Sequence, residues 1–399
     1  MKQYFRTFAI LCAATATLAH SSLAQAKYRV LFSFSVANDG GGYPDAGVLR
    51  DSAGNLYGTT EIGGASDYGT VYRLAPDGTF AILHAFAGED GAYPIAGIVA
   101  DAAGNLYGTT SDGGGGCSAG GCGTVFRVAP DGTESVLHAF AGREAHDGDA
   151  PYAGLAMDRG GNLYGTTSNG GHAHRFQDYG AVFKVALDGT ETLLHSFAGP
   201  PDGTDGLVPE APLFRDNRGN FYGTTVRGGL ADAGTVFKIA RGKQETLLYS
   251  FGGANDGAAP SAGVIADDAG NLYGMTSAGG AYGGGVVFRL ALDGTETVLH
   301  AFAGGKKDGA NPTGGLIADG AGNLFGVTVF GGTLDGLCPA GCGTIFKLAS
   351  DGSETILHKF SYDEGAFPNG IVMDERGRFY GTTHQGGAAG YGTVFELVK

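Results

Sequence analysis

The chain has 399 residues, a formal net charge of −15, 76 glycines and no tryptophan. The acidic balance supplies no basic footprint for nucleic acid, and anionic membranes should repel such a surface. A hydrophobic fraction of 43 % argues against disorder, because disordered chains lack the apolar residues that offset ordering entropy.

The first element is a targeting segment, residues 1–26. Lys2 and Arg6 form a short positive start, and an apolar run follows from Phe8 to about Ala19. Ala24-Gln25-Ala26 then matches a small-x-small cleavage pattern. The run is too short to span a bilayer, and Leu11 before Cys12 is not the small residue that lipoprotein processing wants. The mature chain is expected to start at Lys27 as one domain, residues 27–399, exported to the periplasm or secreted. Removing Lys2 and Arg6 shifts the charge from −15 to −17. No later segment is apolar enough for a membrane span.

From Lys27 onward the sequence repeats. Gly54-Asn55-Leu56-Tyr57-Gly58-Thr59-Thr60 returns at Gly104, Gly161, Gly219, Gly270, Gly322 and Gly377, at spacings of 50 to 58 residues. Pro44-Asp45-Ala46-Gly47-Val48 precedes it, and Gly69-Thr70-Val71-Tyr72-Arg73-Leu74 follows, each with a copy in every repeat. Ile82-Leu83-His84-Ala85-Phe86 comes last. Each block is short, rich in β-branched and aromatic residues, and bounded by Gly, Asp, Asn or Pro, which is the signature of a strand. The four strands are designated a, b, c and d in chain order. Turn chemistry agrees. An Asp stands three residues before the block Gly between a and b, from Asp51 to Asp374, and Asp-Gly recurs between c and d at Asp77, Asp131, Asp188, Asp293 and Asp351.

The count decides the architecture. Strands a, b and c occur seven times, but the chain stops just past the seventh c. The missing d lies at the front, in Tyr28-Arg29-Val30-Leu31-Phe32-Ser33-Phe34. A closed ring gains from this permutation, since closing protects the sheet edges. The expectation is an all-β, seven-bladed β-propeller of four antiparallel strands per blade, closed by the N-terminal strand pairing with the C-terminal blade.

These blocks resemble the GloVer tandem-repeat proteins, an exported bacterial group with variable surface anchors. The resemblance rests on Gly-Asn-Leu-Tyr-Gly-Thr-Thr, the following Gly-Gly, Gly-Thr-Val-Phe and Asp-Gly-Thr-Glu-x-Val-Leu-His-x-Phe, and covers nearly all of residues 27–399. It implies a repeat propeller and brings no catalytic residue with it. The spacing is also similar to that of kelch propellers, whose tryptophan this chain lacks.

Four cysteines remain after the leader, as Cys117/Cys122 and Cys338/Cys342. Close pairs in an exported protein read as disulfides, whereas a zinc site would need all four to converge from distant blades. Length variation collects in the b–c loops, so the b–c/d–a face is the expected functional face. His84, His138, His195, His300 and His358 obey the repeat, with Phe32 and Tyr249 in the other copies, and read as packing positions. His146, His172, His174 and His384 break it. His146 lies in a loop with Asp147 and Asp149, and His172 and His174 share one with Asp178. His146, His172, His174 and Asp178 are the candidate ligands of a divalent metal, with a plain solvated loop as the alternative. No other cofactor is expected. Asp-Gly pairs in the d–a loops, at Asp39, Asp90, Asp205, Asp256 and Asp308, read as turn caps, because calcium wants six to eight oxygens at one centre. The leading functional expectation is a monomeric binding or scaffold module for a glycan or protein outside the cytoplasm. The alternative is a secreted lyase or hydrolase with its site on the b–c/d–a face. No catalytic residue is assigned.

Overall fold

In the computed structural model, residues 27–36, 40–117, 120–171, 179–199, 205–240, 245–253 and 255–398 are described. The first and last described strands share one sheet. Lys27–Ser33 runs antiparallel to Thr393–Val398, with Lys27 opposite Val398 and Ser33 opposite Thr393. The sheet continues through Phe379–Gln385 to Ala366–Met373. Strand d of blade 7 is therefore N-terminal, and its c, b and a strands are C-terminal. Six further four-stranded sheets each come from one contiguous stretch. In blade 1 these are Leu49–Arg50, Leu56–Thr60, Thr70–Leu74 and Phe80–Ala85. The protein is the seven-bladed propeller that the repeat count predicts.

Blade packing follows from two recurring features of strands b and c. The glycine in the middle of strand b leaves room for the aromatic ring of strand c. At Gly165 an added Cβ would lie 2.6 Å from Cζ of Phe183, closer than van der Waals contact permits. That ring then meets the phenylalanine just past strand d of the preceding blade. The pairs are Phe34–Tyr72, Phe86–Phe126, Phe140–Phe183, Phe197–Phe237, Phe251–Phe288, Phe302–Phe346 and Phe360–Phe395, all edge-on at 5.0–5.3 Å. Every junction, including that between blades 7 and 1, has this step. Burying each such ring is worth about 1.5–3 kcal/mol, and the edge-to-face geometry adds roughly 0.5–1.5 kcal/mol. Near the axis a threonine bonds across the junction. Thr59 Oγ1 donates to Ala96 O at 3.0 Å, and Thr382 Oγ1 to Ala46 O at 2.6 Å, which ties blade 7 to blade 1.

The a–b turns are capped as expected. Asp51 Oδ1 accepts the Asn55 N–H at 2.8 Å, and Oδ2 accepts Asn55 Nδ2 and the Tyr57 hydroxyl. Burial would raise this carboxyl, but those bonds outweigh it and hold it below the usual range. Asp101, Asp158, Asp216 and Asp267 repeat the arrangement.

The outer rim is more polar than a packing position implies. His84 places Nε2 2.8 Å from Asp90 Oδ2 in the following d–a loop, and its ring lies edge-on to Phe86. The pairs His138–Asp147, His195–Asp205, His300–Asp308 and His358–Glu364 repeat it, and the Tyr249 hydroxyl donates to Asp256. Asp90, Asp205, Asp256 and Asp308 each also accept a loop N–H, which is the capping role expected of them; Asp39 lies outside the described residues. A glutamate that opens strand d of the next blade approaches each pair except His358–Glu364, where Tyr28 stands instead. Burial, and then the charge of the neighbouring aspartate, push Glu134, Glu191, Glu245, Glu296 and Glu354 up to about 7. The nearest aspartates are Asp90, Asp147, Asp205, Asp256 and Asp308 in turn.

A glutamate raised from 4.5 to about 7 in the fold binds a proton that the unfolded chain releases. Its favourable contribution is complete below pH 4.5 and is lost as pH rises through 7. In metal-free buffer the thermal midpoint should therefore fall between pH 5 and pH 8.5. Replacing all five glutamates by glutamine should flatten that part of the profile. A quintuple variant that keeps the wild-type slope would show that the decline comes from other groups.

Candidate ligand-binding mouth

In every blade a proline stands shortly before strand a or within it, and the backbone just before that proline is unusual. Tyr43, Tyr93, Ala150, Val208, Ala259, Asn311 and Phe367 all have φ between 53° and 60°. Residues before proline favour the extended region, and a non-glycine residue at positive φ is held there only when its surroundings compel it, at a cost of order 1–3 kcal/mol. Two hydrogen bonds do so. The Tyr43 N–H donates to Tyr391 O in the b–c loop of blade 7, and Tyr43 O accepts the Glu61 N–H just past strand b. The pattern recurs, for example in Tyr93 with Tyr68 and Ser111, and in Val208 with Tyr179 and Val226.

This turn brings the residue after each proline to the central channel. Asp45, Ile95, Tyr152, Glu210, Ser261, Thr313 and Asn369 together line a mouth of about 400 Å³. The prolines before them recur, and so do the small residues that follow, such as Ala46-Gly47, Ala96-Gly97 and Ala262-Gly263. Close approach of the inner strands demands the small residues. A Cβ on Gly263 would sit 2.7 Å from Pro212 O, and one on Gly314 would sit 1.9 Å from Asn369 O. The seven post-proline side chains, by contrast, are all different. The mouth opens on the b–c/d–a side, the face the loop lengths single out.

Six of the seven post-proline side chains carry a polar group, and they stand among apolar lining residues that include Ile95, Leu213 and Leu316. Burial raises Glu210. Burial also raises the Tyr152 phenol, helped by the charges of Asp112, Glu210 and Asp149. Across the mouth, at the junction of blades 7 and 1, His384 Nδ1 lies 2.6 Å from Asp45 Oδ1, and its ring stacks on Tyr43 at 5.0 Å. Glu61 stands beyond Asp45 and is raised by burial and then by the Asp45 charge. Burial works against a charged His384, yet Asp45 and Glu61 outweigh it and its pKa is raised above 6.5. The Asn369 amide donates to Pro44 O, which fixes its orientation at the rim. The mouth thus offers hydroxyl, amide, phenol and carboxyl groups around one cavity, with an imidazolium–carboxylate pair at its edge.

Sequence reasoning found His384, because it breaks the repeat, but passed over the post-proline ring. The signal was present as a single variable position inside a block that is otherwise repeated. The candidate metal ligands stand differently. His146 ends a short 3₁₀ turn, Arg143–Ala145, with φ 59° and its N–H on Arg143 O. Its neighbour Asp147 is engaged by His138 and by the Ala141 and Gly148 amides. His172, His174 and Asp178 lie outside the described residues. Both expected disulfides are present, Cys117–Cys122 and Cys338–Cys342, with Cα atoms 5.5 and 5.2 Å apart. Each ties a b–c loop at the mouth end. Among the described residues no helix is long and apolar enough to cross a membrane.

Fold and site together define a class: a repeat-built, seven-bladed propeller whose uniform blades carry a varied mouth. The sequence pattern of the Gloeobacter/Verrucomicrobia repeat matches residues 14–217 and 176–395, and the chain belongs to that family. No curated protein matches it in sequence. Among solved structures it is similar to the extracellular domain of a protein assigned as a hybrid two-component system of B. thetaiotaomicron, with TM-score 0.56 and 12 % identity, covering 92 % of this chain and 40 % of that one. It is also similar to a protein assigned as a 6-phosphogluconolactonase of Bacteroides uniformis, with TM-score 0.51 and 16 % identity, covering 82 % of this chain and 88 % of that one. At these identities the likeness is one of fold.

An imidazolium held by two carboxyl groups should titrate above 6.5. NMR titration of the His384 ring should show this, and Asp45→Asn should bring the midpoint down. An unchanged midpoint in that variant would remove the pair from the description of the site.

Proposed function

We propose that the protein is an exported binding module whose channel mouth holds a small polyhydroxylated ligand, such as a sugar or the end of a glycan. The observation that carries this reading is the ring of seven dissimilar side chains on a backbone repeated seven times. A scaffold that keeps its prolines and small residues while varying one position per blade spends that variation on recognition. Ser261, Thr313, Asn369, Asp45 and Glu210 match the alternating donors and acceptors of a polyol. Tyr152 adds an aromatic face, 38 % exposed, for an apolar sugar face. A cavity of about 400 Å³ falls within the usual range of small-molecule sites. The leader-like residues 1–26 and the two disulfides support a working place outside the cytoplasm.

A second reading draws on the His384–Asp45–Glu61 cluster. An imidazolium beside two carboxyl groups at a cavity edge is suited to general acid–base chemistry, and a lactone is the natural substrate class to try, given the assignment of one similar propeller.

Calorimetric titration with glucose, galactose, glucuronate, N-acetylglucosamine, cellobiose and gluconolactone decides between them. At least one sugar should bind, and Glu210→Gln and Tyr152→Ala should each weaken it tenfold or more while leaving the thermal midpoint in place. Silence across the panel, or equal binding by the variants, defeats the sugar reading. Hydrolysis of gluconolactone that is abolished by His384→Ala would make the protein an enzyme instead.

A further inference from the structure

We propose that the outer blade junctions hold divalent transition-metal ions, one bound by His84, Asp90 and Glu134 between blades 1 and 2 and one by His195, Asp205 and Glu245 between blades 3 and 4. In each group a histidine nitrogen and two carboxylate oxygens all lie within 4.8 Å of one another. The donors come from two blades. The histidine and aspartate belong to strand d and the d–a loop of one blade, and the glutamate opens strand d of the next. An ion there would cross-link neighbouring blades at the rim.

The second observation concerns the glutamates. One oxygen each of Glu134 and Glu245 is buried and has no hydrogen-bond partner, as is also true of Glu191, Glu296 and Glu354; at Glu134 and Glu245 a histidine nitrogen and a second carboxylate stand close enough to share one ion with it. Polar atoms shut off from water are normally partnered, and leaving one bare is unfavourable. A cation between the three groups supplies the missing partner. The other ligands are already braced as metal ligands usually are. Asp90 and Asp205 each accept loop N–H bonds, from Ala87 and from Ala198 and Gly206. The imidazoles rest edge-on against Phe86 and Phe197. One nitrogen and two carboxylates suit zinc or manganese, whereas calcium asks for an oxygen shell.

The chain contains its own controls. Between blades 6 and 7, Tyr28 takes the glutamate position and stacks on His358 at 4.1 Å. Between blades 7 and 1, Phe32 takes the histidine position and stacks on Phe80, also at 4.1 Å. A junction can thus be sealed by two stacked rings. The polar triads are therefore not demanded by the need to fill the junction.

The test uses untagged full-length protein, loaded with zinc at pH 8, dialysed and analysed for bound metal, with thermal melting in zinc and in EDTA. Wild type should retain zinc and melt higher with it. The double variant His84→Phe/His195→Phe introduces the residue that blade 7 already accepts at this position, and should retain two fewer ions per chain. Glu134→Gln/Glu245→Gln, which alters no ring packing, should do the same and serves if the first variant misfolds. The proposal is overturned if wild type retains no zinc, or if both double variants retain as much as wild type. Zinc that survives in them but is lost in His172→Ala would likewise overturn it, by placing the ion in the loop of blade 3.

Discussion

Everything in the molecule depends on the antiparallel pairing of Lys27–Ser33 with Thr393–Val398. Six blades are local and could form from contiguous sequence, but the seventh exists only when residues separated by nearly the whole chain meet. That pairing brings in Phe34, which meets Tyr72 and completes the aromatic ring of contacts. It also brings Tyr28 and Phe32, whose stacked rings seal both flanks of blade 7. An unpaired Thr393–Val398 would be an exposed edge beside a hydrophobic junction, the arrangement that invites aggregation. The entropy of closing so long a loop grows only slowly with its length. Closure is thus thermodynamically cheap relative to the contacts it completes, although non-local pairing of this kind is slow to form.

The site depends on closure directly. Asp45 belongs to blade 1 and His384 to blade 7, and they meet 2.6 Å apart only because those blades are neighbours in the ring. The mouth needs all seven blades to surround it. The two ends of the propeller consequently differ in kind. At the a–b end, Asp–Asn–Tyr networks repeat from blade to blade with little change. At the mouth end, a strained residue before each proline gives every blade the same way to present a different side chain. The scaffold is constant where it holds the ring together and varied where it faces the cavity.

Much of this was legible in the sequence, for physical reasons. Repeats expose strand blocks, because the same pleated, half-buried surface is required seven times. The front-loaded d strand exposes closure, because Tyr28-Arg29-Val30-Leu31-Phe32-Ser33-Phe34 has no other partner to complete. Asp51 and its copies could be read as caps from spacing alone. The rim could not be read this way. His84 was recognisable as a structural residue, but its bond to Asp90 spans a loop, and Glu134 reaches them from the next repeat. The twist of neighbouring blades creates that contact, and no one-dimensional pattern records it. The positive φ of Tyr43 and Ala259 was hidden as well, since neither is glycine and proline argues for an extended neighbour. The short ribbons pairing Gly148–Asp149 with Asn169–Gly170 and Gly206–Leu207 with Arg227–Gly228 extend strands a and b beyond their blocks, past the kink that made those blocks look complete.

Closure is tested most directly by comparing a chain that starts at Lys27 with one that lacks residues 27–34, following hydrogen exchange by mass spectrometry. Exchange should accelerate throughout Thr393–Val398 and Phe379–Gln385, and the thermal midpoint should fall well below that of the full chain. Blades 3 and 4, far from the gap, should keep more of their protection than blade 7. A truncated chain with the parent's midpoint and unaltered exchange across blade 7 would contradict the account, because the ring would then stand without the strand said to close it.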